Sequence, residues 1–425
     1  MEEILSHHNP HWGGAPYAGL FPRAVEDRLW RQLRLPSIQV VLGVRRSGKS
    51  TLFRLLINRL MEKHDPRSLL YCNLDDPALV GLGREPGFFY RLRESAEKLT
   101  GVPPRYLLLD EAQSLAGWER AVKAAYDNRL FAKIMVTGSN ASLLAGDYAR
   151  LLSGRYVATH LYPLSFAELL AARGLAGRLD TARHRARLLA LAERAVAMGL
   201  FPEVVKTDDA SSQRELLASY YDTILLKDCI AGHSVREVRA LRDLAHYLIT
   251  NVSSLYSYNS LARAVGGNEN TCREFAGLLE DSFLIREVRH FAYSLGAQSK
   301  ARRKCYCLDN GLVRVASFSF SENRGKLLEN LVFTELVKMD CGDIFYHQGR
   351  HECDFIVKQG RRLAAIQVTC RLEPSNRERE LAGLQEAQSA LNIKRAAVVT
   401  FDQRNDADPR HPVILFWELG SWLGQ

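Results

Sequence analysis

Residues 38–52, IQVVLGVRRSGKSTL, decide the fold of the first third of the chain. Ile38–Leu42 is a short apolar run of β-type residues, the length of a buried strand. Gly43-Val44-Arg45-Arg46-Ser47-Gly48-Lys49-Ser50 fits G-x-x-x-x-G-K-[ST] in full. From Thr51 to Met61 the apolar residues return at helical spacing. Strand, glycine turn and helix in that order give the motif a physical meaning. The glycines let the backbone curl until its N–H groups face phosphate oxygens. Lys49 brings a point charge to the β- and γ-phosphates, Ser50 offers a hydroxyl to Mg²⁺, and the helix N-terminus faces the anion. ATP is therefore expected on Gly43, Arg46, Ser47, Gly48, Lys49, Ser50 and Thr51.

Outward from that run, strands alternate with helices. Ser68–Leu74, Arg105–Leu109 and Ala132–Val136 are β-type; Gly87–Leu99 and Trp118–Tyr126 have helical spacing. The alternation predicts an α/β P-loop NTPase core, a mostly parallel sheet whose polar strand ends meet at one edge. Leu107-Leu108-Leu109-Asp110-Glu111 supplies that edge with two acids. Asp110 is the expected Mg²⁺ ligand and Glu111 the base that polarises an attacking water. After the next strand comes Thr137-Gly138-Ser139-Asn140; Ser139 and Asn140 are candidates for the γ-phosphate or the water, and an ordinary Gly-Ser turn is the alternative.

At 425 residues the chain is too long for one core. The formal charge of +9 makes an anionic partner plausible, which nucleotide explains in part and DNA explains further. No apolar run approaches the ~18 residues of a membrane span, and the acidic start lacks the marks of a signal peptide. The eight cysteines form no Cys-x-x-Cys set, which fits reduced thiols in a cytoplasmic protein. Residues 164–235 are rich in Ala, Leu and Arg and read as a helical lid. In residues 236–320, helix Tyr258–Val265, the Gly266-Gly267 break, helix Glu269–Asp281 and the extended Phe283–Val288 make a winged helix-turn-helix pattern. Its DNA-contact candidates are Asn270, Thr271 and Arg273 on the second helix and Arg302 and Arg303 in the basic stretch Lys300–Lys304. Acidic Glu269, Glu274, Glu280 and Asp281 on the same helix leave protein docking open as the alternative.

The runs IQVVLGVRRSGKSTL, LLLDEAQ, VTGSNASLL and LLSGRYVATHLYPLSF together resemble one family: AAA+-type, STAND-related P-loop ATPases of archaea and bacteria with a C-terminal restriction-endonuclease-like domain. The resemblance covers nearly the whole chain. It implies an ATPase core over residues 1–163, Walker A at Gly43–Ser50, Walker B at Asp110–Glu111 and a sensor in Thr137–Asn140. It draws attention to Arg155, with Arg150 behind it, as an arginine finger acting within its own subunit or on a neighbour of a homo-oligomer. It likens Gly199-Leu200-Phe201-Pro202 to a nucleotide-touching lid element, beside the plainer reading of a helix end. Over residues 321–425 it is similar to the PD-(D/E)xK nuclease fold, with helix Gly325–Lys338 and strands after it. Glu329 and Asp354 match the Mg²⁺ positions and Gln367 the third position. Thr369 stands where that family has its lysine, with Arg371 or Lys358 as substitutes, so an inactive nuclease-like domain is expected. Three functions stay open: an ATPase that moves DNA-contacting domains on double-stranded or junction DNA, a STAND-like regulatory or defence switch acting on proteins, and an ATP-dependent nuclease.

Overall fold

Five short strands build the first sheet: β1 (Ile38–Leu42), β2 (Leu69–Asn73), β3 (Tyr106–Asp110), β4 (Lys133–Gly138) and β5 (Tyr156–His160). Their order is β2-β3-β4-β1-β5 and every pairing is parallel. All five residues of β1 and all six of β4 are buried, as parallel strands covered on both faces must be. The covering helices include α1 (Lys49–Met61), α2 (Phe88–Thr100) and α3 (Trp118–Asp127). Leu52, Phe53, Leu56 and Leu60 of α1 pack with Val41, Leu69, Leu108 and Met135 from four strands. The expected strands and helices of this region lie within a residue or two of those observed. β5 is one the sequence pattern does not announce.

The computed structural model describes residues 1–80, 87–141, 152–175, 181–231, 235–317, 324–405 and 408–424. The chain divides into two compact units, Met1–Pro163 and Leu164–Gln425. The helical, middle and C-terminal segments expected after residue 163 all lie in the second unit.

That unit begins with helices, among them α4 (Thr181–Met198) and α5 (Ala210–Thr223). Then come α6 (Val238–Thr250), β6 (Leu255–Tyr256), α7 (Tyr258–Val265), α8 (Glu269–Asp281), β7 (Ile285–Arg289), a short helix at Leu295–Lys300 and β8 (Arg303–Cys307). The three strands form an antiparallel sheet ordered β6-β8-β7. α7 and α8 span the residues expected from their apolar spacing. Ser257 caps one and Asn268 the other, each accepting a backbone N–H three residues on.

The last stretch runs α9 (Arg324–Lys338), β9 (Asp343–Gln348), β10 (Glu352–Gln359), β11 (Arg362–Val368), α10 (Pro374–Leu391), β12 (Arg395–Thr400) and β13 (Val413–Leu415). Its sheet is ordered β13-β12-β11-β10-β9, antiparallel from β9 to β11 and parallel from β11 to β13. Residues 330–337 of α9 are all buried, so that helix is enclosed on every side.

Candidate active site

Leu42 of β1 pairs with Gly138 of β4, and β3 ends beside them, so the loops leaving all three strands open at one sheet edge. The Gly43–Ser50 loop starts there. A Cβ on Gly43 would stand 1.9 Å from the Leu161 carbonyl oxygen, so only glycine fits. Arg46 (φ 66°) and Gly48 (φ 97°) take left-handed conformations and turn the chain into α1. Lys49 is buried; its Nζ donates to the Gly43 carbonyl at 3.0 Å and stands 3.5 Å from Glu111 Oε1. Arg23 braces the loop, donating to the carbonyls of Ser47 at 2.8 Å and Tyr162 at 2.6 Å. The Ser47 hydroxyl is buried in this cradle with no hydrogen-bond partner among the described residues.

The acids are set by a hydroxyl on the neighbouring strand. Thr137 Oγ1 donates to Asp110 Oδ1 and accepts the Glu111 backbone N–H at 3.0 Å. Tyr71 donates to the other Asp110 oxygen at 2.7 Å. Glu111 lies in the left-handed region at φ 50°, a strained conformation for a side chain at a strand end. Gln113 donates both to Glu111 Oε2 and to the Ser139 hydroxyl. Burial presses the Glu111 carboxyl towards neutrality, but the Lys49 ammonium, the Gln113 amide and Arg45 outweigh it and hold its pKa below the ordinary glutamate value. A carboxylate kept ionised beside an anion cradle can orient and polarise a water. Asp110 and Ser50 are oxygen donors of the kind Mg²⁺ prefers, so the donor set fits that ion.

The structure thus brings together Gly43, Arg46, Ser47, Gly48, Lys49, Ser50, Thr51, Asp110 and Glu111, with Ser139 and Asn140 buried at the end of β4. Arg155 does not join them. It precedes β5, whose first residue pairs with the first residue of β1, and its carbonyl accepts the Ile38 N–H at 2.7 Å. The loop lies at the other end of β1, roughly 16 Å away along five residues of strand. Arg155 instead pairs with Asp127 at 3.2 Å, so the register corrects the expectation of a finger on its own subunit's phosphates. Arg150 lies outside the described residues. The Gly199–Pro202 turn belongs to the second unit: Leu200 N donates to Asp309 Oδ2 at 2.7 Å, and a Cβ on Gly199 would collide with that carboxylate. Arg23 and Tyr71 carry no local signal in the sequence. Gln113 does, since it falls two residues after Glu111 in LLLDEAQ.

In the second unit, Glu329 of α9 and Asp354 of β10 face one cation of the chain, which lies between them. The Lys304 ammonium, fully buried, donates to Glu329 Oε1 at 2.8 Å and Asp354 Oδ1 at 3.0 Å and pairs with Glu352 as well. Gln367 stays beside Asp354, its carbonyl oxygen accepting the Asp354 backbone N–H at 3.4 Å, but its amide nitrogen donates to Glu380 at 2.8 Å. Thr369 donates to the Arg371 carbonyl, Arg371 pairs with Asp402, and Lys358 is exposed, so none replaces the lysine at position 369. The expected Mg²⁺ site on Glu329 and Asp354 is therefore corrected: a divalent cation does not fit while the ammonium is there. Burial and the Asp354 charge push the Glu329 carboxyl up to about 7. Burial opposes the charge on Lys304, yet Glu329, Asp354 and Glu352 hold it ionised far above the usual lysine range.

Of the surface candidates, Asn270 is exposed and Thr271 half-buried. Arg273 is exposed, pairs with Glu269 at 2.8 Å and lies over the Tyr258 ring. Arg302 is exposed. Arg303 is corrected as a free phosphate contact, because it is largely buried against Glu287 at 2.8 Å and the Tyr258 hydroxyl at 3.1 Å.

Comparison with known proteins follows this division. An AAA domain matches residues 36–170, a domain of unknown function (DUF8612) residues 189–323, and another (DUF4143) residues 324–419. An uncharacterized protein of Methanocaldococcus jannaschii is 28% identical over 402 residues, covering 90% of this chain and 87% of that one. An uncharacterized protein of Haemophilus influenzae is 30% identical over 355 residues, 80% of this chain and 84% of that one. Among solved structures, the Aeropyrum pernix ORC1 protein in complex with DNA shares 14% identity at a TM-score of 0.29 over 74% of this chain and 94% of that one. AMPPCP-bound DnaA from Aquifex aeolicus shares 18% at 0.28 over 64% and 92%. The match at residues 36–170 makes the N-terminal unit an AAA-type P-loop ATPase domain, and the similarity across 84% of the Haemophilus influenzae protein places the whole chain in the same family as that protein.

Proposed function

We propose that this chain binds ATP with Mg²⁺ at Gly43–Ser50, hydrolyses it, and uses its nucleotide state to drive conformational change or assembly of C-terminal domains that contact DNA. The observation that carries the reading is the convergence of Lys49 and Glu111, 3.5 Å apart at the sheet edge where Thr137 fixes both acids. The backbone of the loop and Lys49 bind the phosphates, and a phosphate entering the loop competes for the ammonium now held by the Gly43 carbonyl. Glu111 takes the proton of the attacking water, with Gln113 and Ser139 orienting it. Ser50 and Asp110 would hold Mg²⁺, which supplies neutralising charge on the β- and γ-oxygens when bound. Arg155 is proposed to act, if on a phosphate, across a homo-oligomer.

The order helix, strand, helix, helix, strand, short helix, strand over Val238–Cys307 supports a winged helix-turn-helix, with Asn270, Thr271, Arg273 and Arg302 towards double-stranded or junction DNA. The α-β-β-β-α-β order of Arg324–Thr400 supports a nuclease-like fold, and Lys304 among its carboxylates argues against cleavage. A second reading, a STAND-like regulatory switch acting through protein recognition, is favoured by the internal ion pairs of Arg303 and Lys304, which thin the basic surface.

The deciding measurement is the ATPase rate with no DNA and with single-stranded, double-stranded and junction DNA, for wild type, Lys49→Ala and Glu111→Gln. Stimulation by one DNA, lost in both variants, supports the first reading. ATP-dependent assembly without any DNA effect supports the second. Wild-type turnover by Glu111→Gln removes Glu111 as the base.

A further inference from the structure

Where β10 turns into β11, Gln359 pairs with Arg362, so Gly360 (φ 60°) and Arg361 form a two-residue hairpin loop. On the other side of β11, Ala364 pairs with Arg395, the first residue of β12. Paired residues and alternate residues share a sheet face, so Val357, Gln359, Arg362, Ala364 and Arg395 lie on one side at one end. They line a cavity of about 660 Å³ that gathers four cations, Arg361, Arg362, Lys394 and Arg395, with no carboxylate among its described lining residues. Other arginines of this region are paired: Arg371 with Asp402, Arg379 with Glu380 and Arg404 with Glu418. Arg361, Arg362 and Lys394 are exposed and form no ion pair among the described residues. Arg395 is half-buried, its guanidinium 4.5 Å from the centre of the Trp422 ring. Burial and then the Arg362 charge hold its pKa below the ordinary arginine value, so the two guanidiniums repel and an anion between them relieves both.

The cavity also has a ring to offer. Tyr293 lines it, is 82% exposed, and is held edge-on by the buried Phe291 at 5.4 Å. We propose that this groove binds single-stranded nucleic acid, with phosphates on Arg361, Arg362, Lys394 and Arg395 and a base stacked on Tyr293. Cations along a groove beside an exposed aromatic face are what a flexible strand uses. An acidic peptide would use the cations and leave the ring idle, and a base inside a duplex has both faces covered by its neighbours. The groove is at the hairpin end of β10, roughly 16 Å along the strand from Asp354. None of Asn270, Thr271, Arg273 and Arg302 lines it, and neither ATP turnover nor the winged-helix surface is needed for it.

The test is fluorescence anisotropy of a labelled oligothymidylate of about 15 nucleotides with the full chain, free of nucleotide and in EDTA, over a series of salt concentrations. Arg361→Gln/Arg362→Gln changes two exposed side chains without ion pairs and so leaves the fold its contacts. It is expected to weaken binding about tenfold and to lower the slope of log affinity on log salt by about 1.4, the share of two phosphates on a single strand. Tyr293→Ala is expected to weaken binding about tenfold with the slope unchanged. Wild-type affinity and slope in Arg361→Gln/Arg362→Gln overturn the proposal. So does loss of binding in Arg273→Ala alone, which assigns the strand to the winged helix instead. Displacement by polyglutamate as effective as by unlabelled oligothymidylate, or tighter binding of a duplex of the same length, overturns the single strand as the occupant.

Discussion

Lys49 and Lys304 are both buried ammonium groups facing acids, yet their surroundings give them opposite capacities. Lys49 rests on the carbonyls of Gly43 and Val44 and on one carboxylate at 3.5 Å. Those are neutral or long contacts, and phosphate oxygens can replace them with shorter charged ones. Lys304 rests on three carboxylates, two of them at 2.8 and 3.0 Å, with no exposure to water. No anion can improve on that. The difference is one of backbone: Lys49 follows a glycine loop open at a sheet edge, whereas Lys304 sits inside a strand roofed by a helix and a second sheet. A lysine is available to a ligand when its partners are weak, and structural when they are charged and close.

The largest test of this contrast is Lys304→Met. Removing one member of a buried, hydrogen-bonded ion cluster leaves uncompensated charge and costs about 3–5 kcal/mol. Urea denaturation is expected to show that loss in the unfolding of the second unit, with part of it recovered in Lys304→Met/Glu329→Gln. An unchanged midpoint would break the comparison at its structural end. At the functional end, Lys49→Ala and Glu111→Gln are expected to lower ATP turnover on the order of 10²–10³-fold. For Lys49→Ala the folding stability should shift by only about 1 kcal/mol, because the partners left behind are two carbonyls and one carboxylate at 3.5 Å.

A third buried lysine sharpens the point. Lys133 donates to the carbonyls of Gln32, Leu35 and Ser37 at 3.2, 2.9 and 2.6 Å, with no carboxylate. Burial alone pushes it down to about 8, the reverse of Lys304. In the unfolded chain it titrates near the ordinary 10.5, so between about 8 and 10.5 the unfolded state holds more protons. The cost of burying the charge is fully present below that window and is relieved as pH rises through it, by up to about 3 kcal/mol. Denaturation from pH 7 to 10 should show wild type gaining stability relative to Lys133→Met. A flat difference would mean that three carbonyls hold the charge as well as carboxylates do.

Much of this contrast was legible where the determinants are local. The loop Gly43–Ser50 is eight consecutive residues whose conformation is set by their own glycines, and β1 falls on the residues its apolar run predicts. Asp110 and Glu111 could be read from the strand that ends in them. Lys304 could not. In sequence it closes a basic stretch and reads as a phosphate contact; its burial is decided by Glu329, Glu352 and Asp354, which lie 25–50 residues later on other elements. The alternation of Glu352 and Asp354 was the available clue, since two acids two apart on a strand share a face. β5 was missed because YVATH mixes polar and apolar residues, and only pairing with β1 makes it a strand. Arg155 was misplaced for the same reason: without β5 there is no register to show which end of the sheet it occupies.

Arg155 therefore gives the smallest expected effect and the cleanest check of that register. Its pair with Asp127 is half-exposed, and such pairs contribute about 0–1 kcal/mol. At roughly 16 Å from the loop of its own subunit it touches no phosphate there. Arg155→Ala should bind ATP with wild-type affinity by titration calorimetry and unfold within about 1 kcal/mol of wild type. A several-fold loss of affinity at protein concentrations where the chain is monomeric would mean that the guanidinium reaches its own nucleotide, which the pairing of Ile38 with Tyr156 forbids. Loss of turnover with affinity intact, appearing only as concentration rises, would instead assign the arginine to a neighbour's site. The two outcomes separate cleanly because the first depends on β1–β5 register within one chain and the second on contact between chains.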